Sequence, residues 1–273
     1  MRIVRIIAFR EFLDALHSRW LFGFGVLFAV LTIAISAYGV SAAQSIEYRG
    51  FSQVSASLLN LILFTVPMVS MILPALSLTT DEETLLILLT QPLDRAQVLI
   101  GKYLGMAGAL GSTLLGGILL GGLVVLVQAG PGYLASFLLL MLLTAMLIGL
   151  FLALGISIAV FSRERARAMG TCLGVWFFVV ILYDLLVFGL TVAGPAIPLK
   201  TLLLTAIVLN PVDAIRVLYL LAVGNNSFVG ATGAVIAQAM GGTAGILLLG
   251  AVTLGWTLAA LAASILLFKR LDL

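Results

Sequence analysis

The sequence predicts an all-α integral membrane protein with six transmembrane helices in one domain, 1–273, and composition is the first reason. Apolar residues make up 63% of the 273 residues and charged residues only 9%, whereas soluble domains carry about 25% charged residues. The charges also leave uncharged stretches of 31 residues at 50–80, 60 residues at 103–162 and 52 residues at 217–268. One helical span needs about 20 apolar residues, so the longer stretches cross more than once. A soluble enzyme is excluded.

The chain begins with a segment that is helical in pattern but too polar to span. In residues 1–19, apolar side chains recur at helical spacing on one side, and polar residues that include Arg10, Glu11 and Asp14 occupy the other. This pattern is typical of a helix that lies in the membrane interface. We therefore predict an elbow helix that leads into the first span.

The six predicted spans follow from apolar runs and turn signals. Gly130-Pro131-Gly132 is a strong turn signal that divides the longest run into two antiparallel helices. The first run follows a basic start, as in a signal peptide, but its length of about 20 residues and the later spans favour a retained transmembrane helix. The predicted spans are 20–41, 55–78, 103–127, 134–160, 169–192 and 244–267.

The long segment 193–243 is the least regular part of the pattern. Its apolar stretches are interrupted by Asn210-Pro211-Val212-Asp213 and by Asn225-Asn226-Ser227, which leaves pieces too short to span alone. Short helices at the outer surface, or a re-entrant pair, fit these pieces better than two further spans. An alternative with eight spans would also place both termini on the same side of the membrane.

Lysine and arginine are distributed unequally between the two sides that six spans define. Eleven lie with the termini and the connections 79–102 and 161–168, and three, Arg49, Lys200 and Arg216, lie on the other side. By the positive-inside rule the first side is cytoplasmic. The sequence therefore predicts a multi-pass protein with both termini in the cytoplasm. The scattered basic residues do not indicate binding to nucleic acid.

The cytoplasmic connection 79–102 combines a capped helix start with a stop signal. Thr80 and Glu83 form a capping box, and carboxylates in a first turn suit the positive end of the helix dipole. Pro92 ends this short helix, and Asp94 can cap the next one. On local physics alone, the connection is either a functional loop or a well-capped surface hairpin.

The order of residues in this connection resembles the signature loop of ABC-2 type permeases. An acidic cluster is followed by Thr-Leu, Leu-Leu, Pro, Arg and then Gly-Lys, although Glu83 stands where the family often has Gly. Arg10-Glu11-Phe12 resembles the family's elbow helix, and 162–165 occupies the place of its second cytoplasmic loop. The resemblance covers the whole chain. It implies contact with an ATPase subunit at Glu82, Glu83, Thr84, Leu85, Leu86, Pro92, Arg95, Arg163 and Arg165.

Within that family, the outer segment with Asn210-Pro211-Val212-Asp213 resembles the permeases that serve nitrous oxide reductase maturation. The resemblance implies a bacterial inner-membrane complex of two permease copies, a cytoplasmic ATPase dimer that binds ATP and magnesium, and a periplasmic β-helix protein. The implied role is to support copper-site assembly. An ABC-2 exporter of a drug, lipid or polysaccharide is the alternative. A structural membrane anchor is another, although it would not need two charged cytoplasmic loops.

The sequence contains no catalytic or metal-binding motif. Before Gly101-Lys102, Ala96 stands where a Walker A motif requires Gly, and Tyr103 stands where it requires Ser or Thr. Cys172 and His17 are single and lie in different regions, so neither a disulfide nor a Cys/His metal site can form within one chain. Met68 and Met71 fit packing better than copper binding. We expect a non-catalytic subunit without a cofactor of its own.

Two sets of polar residues outside the cytoplasmic loops are further candidates. Asp184 is the single charge inside a predicted span, which indicates either a functional site or a carboxylate bonded to a neighbouring helix or near the interface. Asn210, Pro211 and Asp213 form a good helix start, and Arg216 pairs with Asp213 at i, i+3. Their structural explanation is a capped helix, and the functional one adds docking of a periplasmic partner.

Overall fold

The computed structural model describes residues 2–43, 50–80, 95–162, 164–193, 198–223 and 242–269, and the regular elements in these ranges are helical. A 3₁₀ turn, Pro131–Tyr133, precedes the helix Leu134–Ser162, and a π-helical turn, Phe178–Leu182, joins the helices Arg165–Phe177 and Tyr183–Ala193. The helices are α1 (Arg2–His17), α2 (Arg19–Ala43), α3 (Gly50–Thr80), α4 (Arg95–Ala129), α5 (Leu134–Ser162), α6 (Arg165–Phe177), α7 (Tyr183–Ala193), α8 (Leu199–Leu209), α9 (Pro211–Ala222) and α10 (Thr243–Lys269).

The described part contains six helical stretches that are long and apolar enough to cross a bilayer. These stretches confirm the all-α, six-span prediction. They are Arg19–Gly39, Val54–Leu78, Ala96–Gln128, Pro131–Ser162, Arg165–Val192 and Thr243–Leu267. Helices α8 and α9 are long enough to cross a bilayer only when they are taken together. The pair bends by 111°, as in a broken span or a re-entrant loop. The described residues do not contain the two additional separate spans of the eight-span alternative.

Two predicted span boundaries differ from the observed helices. Helix α4 begins at Arg95 rather than near 103, and the fifth span begins at Arg165 rather than near 169. The prediction starts these spans after charged residues, but a helix can continue through a cation that is paired, as Lys102 is with Glu11, or exposed, as Arg165 is. Gly130, with φ of 84°, occupies the left-handed region that glycine enters without strain, so the predicted turn between α4 and α5 is confirmed.

The described residues divide into two compact units, and the first comprises 1–174 and 257–273. In this unit α1 and α2 pack against α4, and α3 packs against α5. Helices approach closely in a membrane where small residues lie between them. A Cβ atom at Gly155 would lie 2.7 Å from the Cα atom of Met71, and one at Gly117 would lie 2.9 Å from the Cδ1 atom of Phe28. These contacts hold α5 against α3 and α4 against α2.

The second unit comprises 175–256, and hydrogen bonds fix its short helices. The side chain of Asn210 accepts a hydrogen bond from the Val212 amide at 3.0 Å, and Pro211 occupies the first turn of α9. The predicted capped helix start is therefore confirmed. Tyr183 donates its hydroxyl to the carbonyl of Ala206 at 2.8 Å, which ties α7 to α8.

Candidate functional site

Most of the predicted ATPase-coupling residues lie outside the described residues. Arg95 is the first residue of α4, and Arg165 begins α6 with an exposed side chain. The coupling residues outside the described ranges are Glu82, Glu83, Thr84, Leu85, Leu86, Pro92 and Arg163. The structure therefore shows the helices that flank the predicted loops. A first polar cluster lies near the ends of these helices.

This first cluster joins the predicted elbow helix to the two helices that flank segment 81–94. Ser77 on α3 donates its hydroxyl to Oε1 of Glu11 at 2.6 Å, and Lys102 on α4 donates its ammonium to Oε2 at 2.9 Å. The side chains of Lys102 and Glu11 are only 5% and 11% exposed. We name Glu11, Ser77 and Lys102 the Glu11 cluster. Both oxygens of one carboxylate are therefore used, each by a different helix.

Glycines on α4 make this close approach possible. A Cβ atom at Gly105 would lie 2.5 Å from the carbonyl oxygen of Ala8, and one at Gly101 would lie 2.9 Å from the side chain of Ile7. Such distances require the backbone of α1 to move, so glycine is required at Gly105. The glycine pair brings α1 close enough for Glu11 to reach Lys102.

The polar side of α1 is not uniformly exposed, which differs from the sequence prediction. Arg10 and Asp14 form an exposed pair at 3.7 Å, whereas Glu11 is buried. Helical spacing identifies residues that share a side, but it does not identify what that side faces. Exposed apolar side chains at Ile6 and Phe9 leave α1 with an outward apolar face, which is typical of interfacial helices.

A second cluster, in the second unit, contains the intramembrane carboxylate. Nη1 of Arg216 donates to Oδ2 of Asp184 at 3.0 Å and to Oδ1 of Asp213 at 2.9 Å. We name Asp184, Asp213 and Arg216 the Asp184 cluster. Asp184 lies inside the fifth candidate span, Arg165–Val192.

The Asp184 cluster carries two carboxylates for one guanidinium, and its side chains are more exposed than those of the Glu11 cluster. The side chains of Arg216, Asp184 and Asp213 are 32%, 41% and 13% exposed. The side-chain amide nitrogen of Asn210 donates a hydrogen bond to Oδ2 of Asp213 at 3.1 Å.

The predicted docking residues differ in how accessible they are. Asn210 is 2% exposed and Pro211 is buried, so these two residues shape the start of α9. Asp213 and Arg216 keep partly exposed side chains. The docking prediction for this segment thus depends on the latter pair.

The sequence analysis did not find two contacts that the structure contains. Ser77 carries no motif, and Lys102 stands in the sequence as part of a signature, 91 residues from its partner Glu11. The Asp184 and Arg216 pair spans 32 residues. A single carboxylate in an apolar span does indicate that a cation is needed, and Arg216 is the next basic residue along the chain after Lys200.

Comparison with known proteins gives similarity over most of the chain. Residues 5–273 match the family model described as ABC-2 family transporter protein. A Pseudomonas aeruginosa protein named "Probable ABC transporter permease protein NosY" is 34% identical over 227 residues, which cover 81% of this chain and 82% of that protein. A protein of the same name from Stutzerimonas stutzeri is 32% identical over 231 residues, which cover 78% and 80%. Both clusters lie within the residues that the family model matches.

Proposed function

This chain belongs to the ABC-2 transporter family and is similar to its permeases, and on that basis we propose that it supports copper-site assembly in nitrous oxide reductase. The observation that carries the proposal is similarity to two NosY permeases across about four fifths of each chain. The family model, which matches residues 5–273, covers the segments of the cytoplasmic loops and the outer helices together. Because the sequence contains no phosphate-binding motif, we assign ATP hydrolysis to a partner subunit.

The proposed assembly has two copies of this permease, a NosF-type ATPase dimer in the cytoplasm and a NosD-type periplasmic protein. ATP and magnesium bind to the ATPase subunits, so this chain receives movement rather than nucleotide. The contact with the ATPase is proposed at the loops 79–102 and 161–168. In this proposal both termini and both charged loops are cytoplasmic. Labelling of a single cysteine at Thr90 or Arg165, in a Cys172→Ser background, tests this orientation.

Copper occupancy of the reductase in cells tests the proposed function. We expect cells without this permease to make nitrous oxide reductase that lacks copper, measured by metal analysis and by its visible spectrum. The wild-type gene should restore copper. Glu83→Lys with Leu86→Asp, which removes a proposed capping carboxylate and an apolar contact, should not restore it. Full copper in the deletion strain, or in the strain that carries the double variant, would contradict the function or the coupling contact, respectively.

The outer helices are proposed to dock the periplasmic partner through Asp213 and Arg216. These residues keep partial exposure at the start of α9, while Asn210 caps the helix. Reversal of both charges, Asp213→Arg with Arg216→Asp, should weaken binding of the periplasmic protein and leave binding of the ATPase unchanged. Lys200→Glu on α8 is the control, because Lys200 is exposed and outside the cluster. Equal loss in both variants would show a general charge effect and refute this docking site.

A further inference from the structure

Three helices of the first unit meet at the Glu11 cluster, and two of them flank segment 81–94. Ser77 lies three residues before the end of α3, and Lys102 lies seven residues after the start of α4. Both contact Glu11, at 2.6 Å and 2.9 Å. One carboxylate on α1 therefore fixes the positions of the helices on either side of the segment.

Stability alone does not require an ion pair at this place. Buried ion pairs are often replaceable by apolar residues of similar size without loss of stability. Helix α1 already buries Ala15 and fits closely against Gly101 and Gly105. What Glu11 adds is directional, since a carboxylate with each oxygen bound by a different helix fixes three elements in one geometry.

We propose that Glu11 is a positioning residue that makes α1 move as one body with the adjoining ends of α3 and α4. This proposal rests on the proposed function, because the movement it transmits begins at the ATPase contact. When ATP binding displaces segment 81–94, its two flanking helices carry Ser77 and Lys102 with them. Glu11 then carries α1 along. Without the carboxylate, α3 and α4 move while α1 lags behind.

The distance between α1 and α4 in the complex with the ATPase tests this rigid coupling. Spin labels are placed at Ile6→Cys and Leu104→Cys, whose native side chains are 62% and 50% exposed, in a Cys172→Ser background. We expect the same distance distribution in the nucleotide-free and ATP-bound complexes. With Glu11→Gln, the distribution should shift between the two states. A shift in the wild-type chain as large as that in the variant would overturn the proposal.

Transporter output gives a second readout that a merely structural role would not change. Glu11→Gln should lower copper-site assembly per ATP hydrolysed by about tenfold, the scale of one lost charge-assisted hydrogen bond. Asp14→Asn is the matched control, because Asp14 lies on the same helix in an exposed pair, and it should leave this ratio unchanged. Glu11→Lys combined with Lys102→Glu restores the pair in reverse and should recover most of the ratio.

The outcomes separate this proposal from the proposed function. If the wild-type chain binds no ATPase, the proposed function fails whatever Glu11 does. If wild type works and Glu11→Gln behaves like Asp14→Asn, only the role of Glu11 is refuted. If Glu11→Gln does not fold, the charge-reversed pair, Glu11→Lys with Lys102→Glu, tests the role of Glu11 instead. Normal ATPase binding with output still about tenfold low in that folded pair would overturn the proposal.

Discussion

The Glu11 cluster and the Asp184 cluster are both ionic, but they differ in charge balance and in the exposure of their side chains. The first pairs one carboxylate with one ammonium, and a hydroxyl donates a hydrogen bond to the second oxygen of that carboxylate. The side chains of Lys102 and Glu11 are only 5% and 11% exposed. The second shares one guanidinium between two carboxylates, with 32% and 41% exposure of Arg216 and Asp184. A balanced, buried cluster suits a permanent joint, whereas an unbalanced, open one can exchange partners or a proton.

Three helices contribute to the first cluster, and only α7 and α9 contribute to the second. Loss of one partner from a buried pair leaves an uncompensated charge, which costs about 3–5 kcal/mol. Exposed pairs are screened by water and are worth about 0–1 kcal/mol. We therefore expect substitutions in the Glu11 cluster to lower stability more than those in the Asp184 cluster.

The largest effect is expected for Lys102→Met, which leaves Glu11 buried without its cation. The apolar side chain should lower stability by about 3–5 kcal/mol. Thermal unfolding in detergent can be followed by reaction of a thiol-specific dye with Cys172, which is buried in the folded chain. Arg167→Met is the control, because Arg167 forms an exposed pair with Glu164 at 3.5 Å. Equal unfolding midpoints for the two variants would contradict the expected cost of leaving Glu11 buried without its cation.

Gly105→Ala tests the close approach that the Glu11 cluster needs. The added Cβ atom would lie 2.5 Å from the carbonyl oxygen of Ala8 and 2.7 Å from the Cβ atom of Glu11. Overpacking of this kind costs about 1–3 kcal/mol. Gly111→Ala on the same helix is the matched control, because a Cβ atom there would meet nothing within 4 Å, and it should not lower the midpoint of the same dye assay. A midpoint for Gly105→Ala that equals that of Gly111→Ala would exclude steric contact with α1.

Asp184→Asn should change stability less than either of these substitutions. The variant keeps the shape of the side chain, and the contact of Asp213 with Arg216 remains. Because Asp184 is 41% exposed, we expect a loss of less than about 1 kcal/mol. Copper-site assembly should nevertheless fall, because Arg216 loses the charge of its partner on the fifth span. Normal expression with full output would leave Asp184 only a structural role.

The sequence predicts the helices of this protein better than their polar contacts. Apolar runs of about 20 residues are local, so the six spans can be found from composition and turn signals. The Asn210 cap is local as well, because its partner is two residues away. Glu11 and Lys102 are separated by 91 residues, and no spacing rule connects α1 to α4. The sequence therefore identifies these two residues separately but does not pair them.

Arg216→Lys is expected to have the smallest effect, and it tests how the second cluster uses its cation. Arginine normally differs from lysine because its planar fork binds carboxylates through two nitrogens. Here both carboxylates are held by Nη1, and Nε has no hydrogen-bond partner among the described residues. A single ammonium can replace one shared nitrogen, so Arg216→Lys should keep most of the copper-site assembly that Arg216→Gln loses. Equal loss in both variants, measured at equal expression, would mean that the guanidinium fork has another partner. The proposed periplasmic partner would then be the first place to search for it.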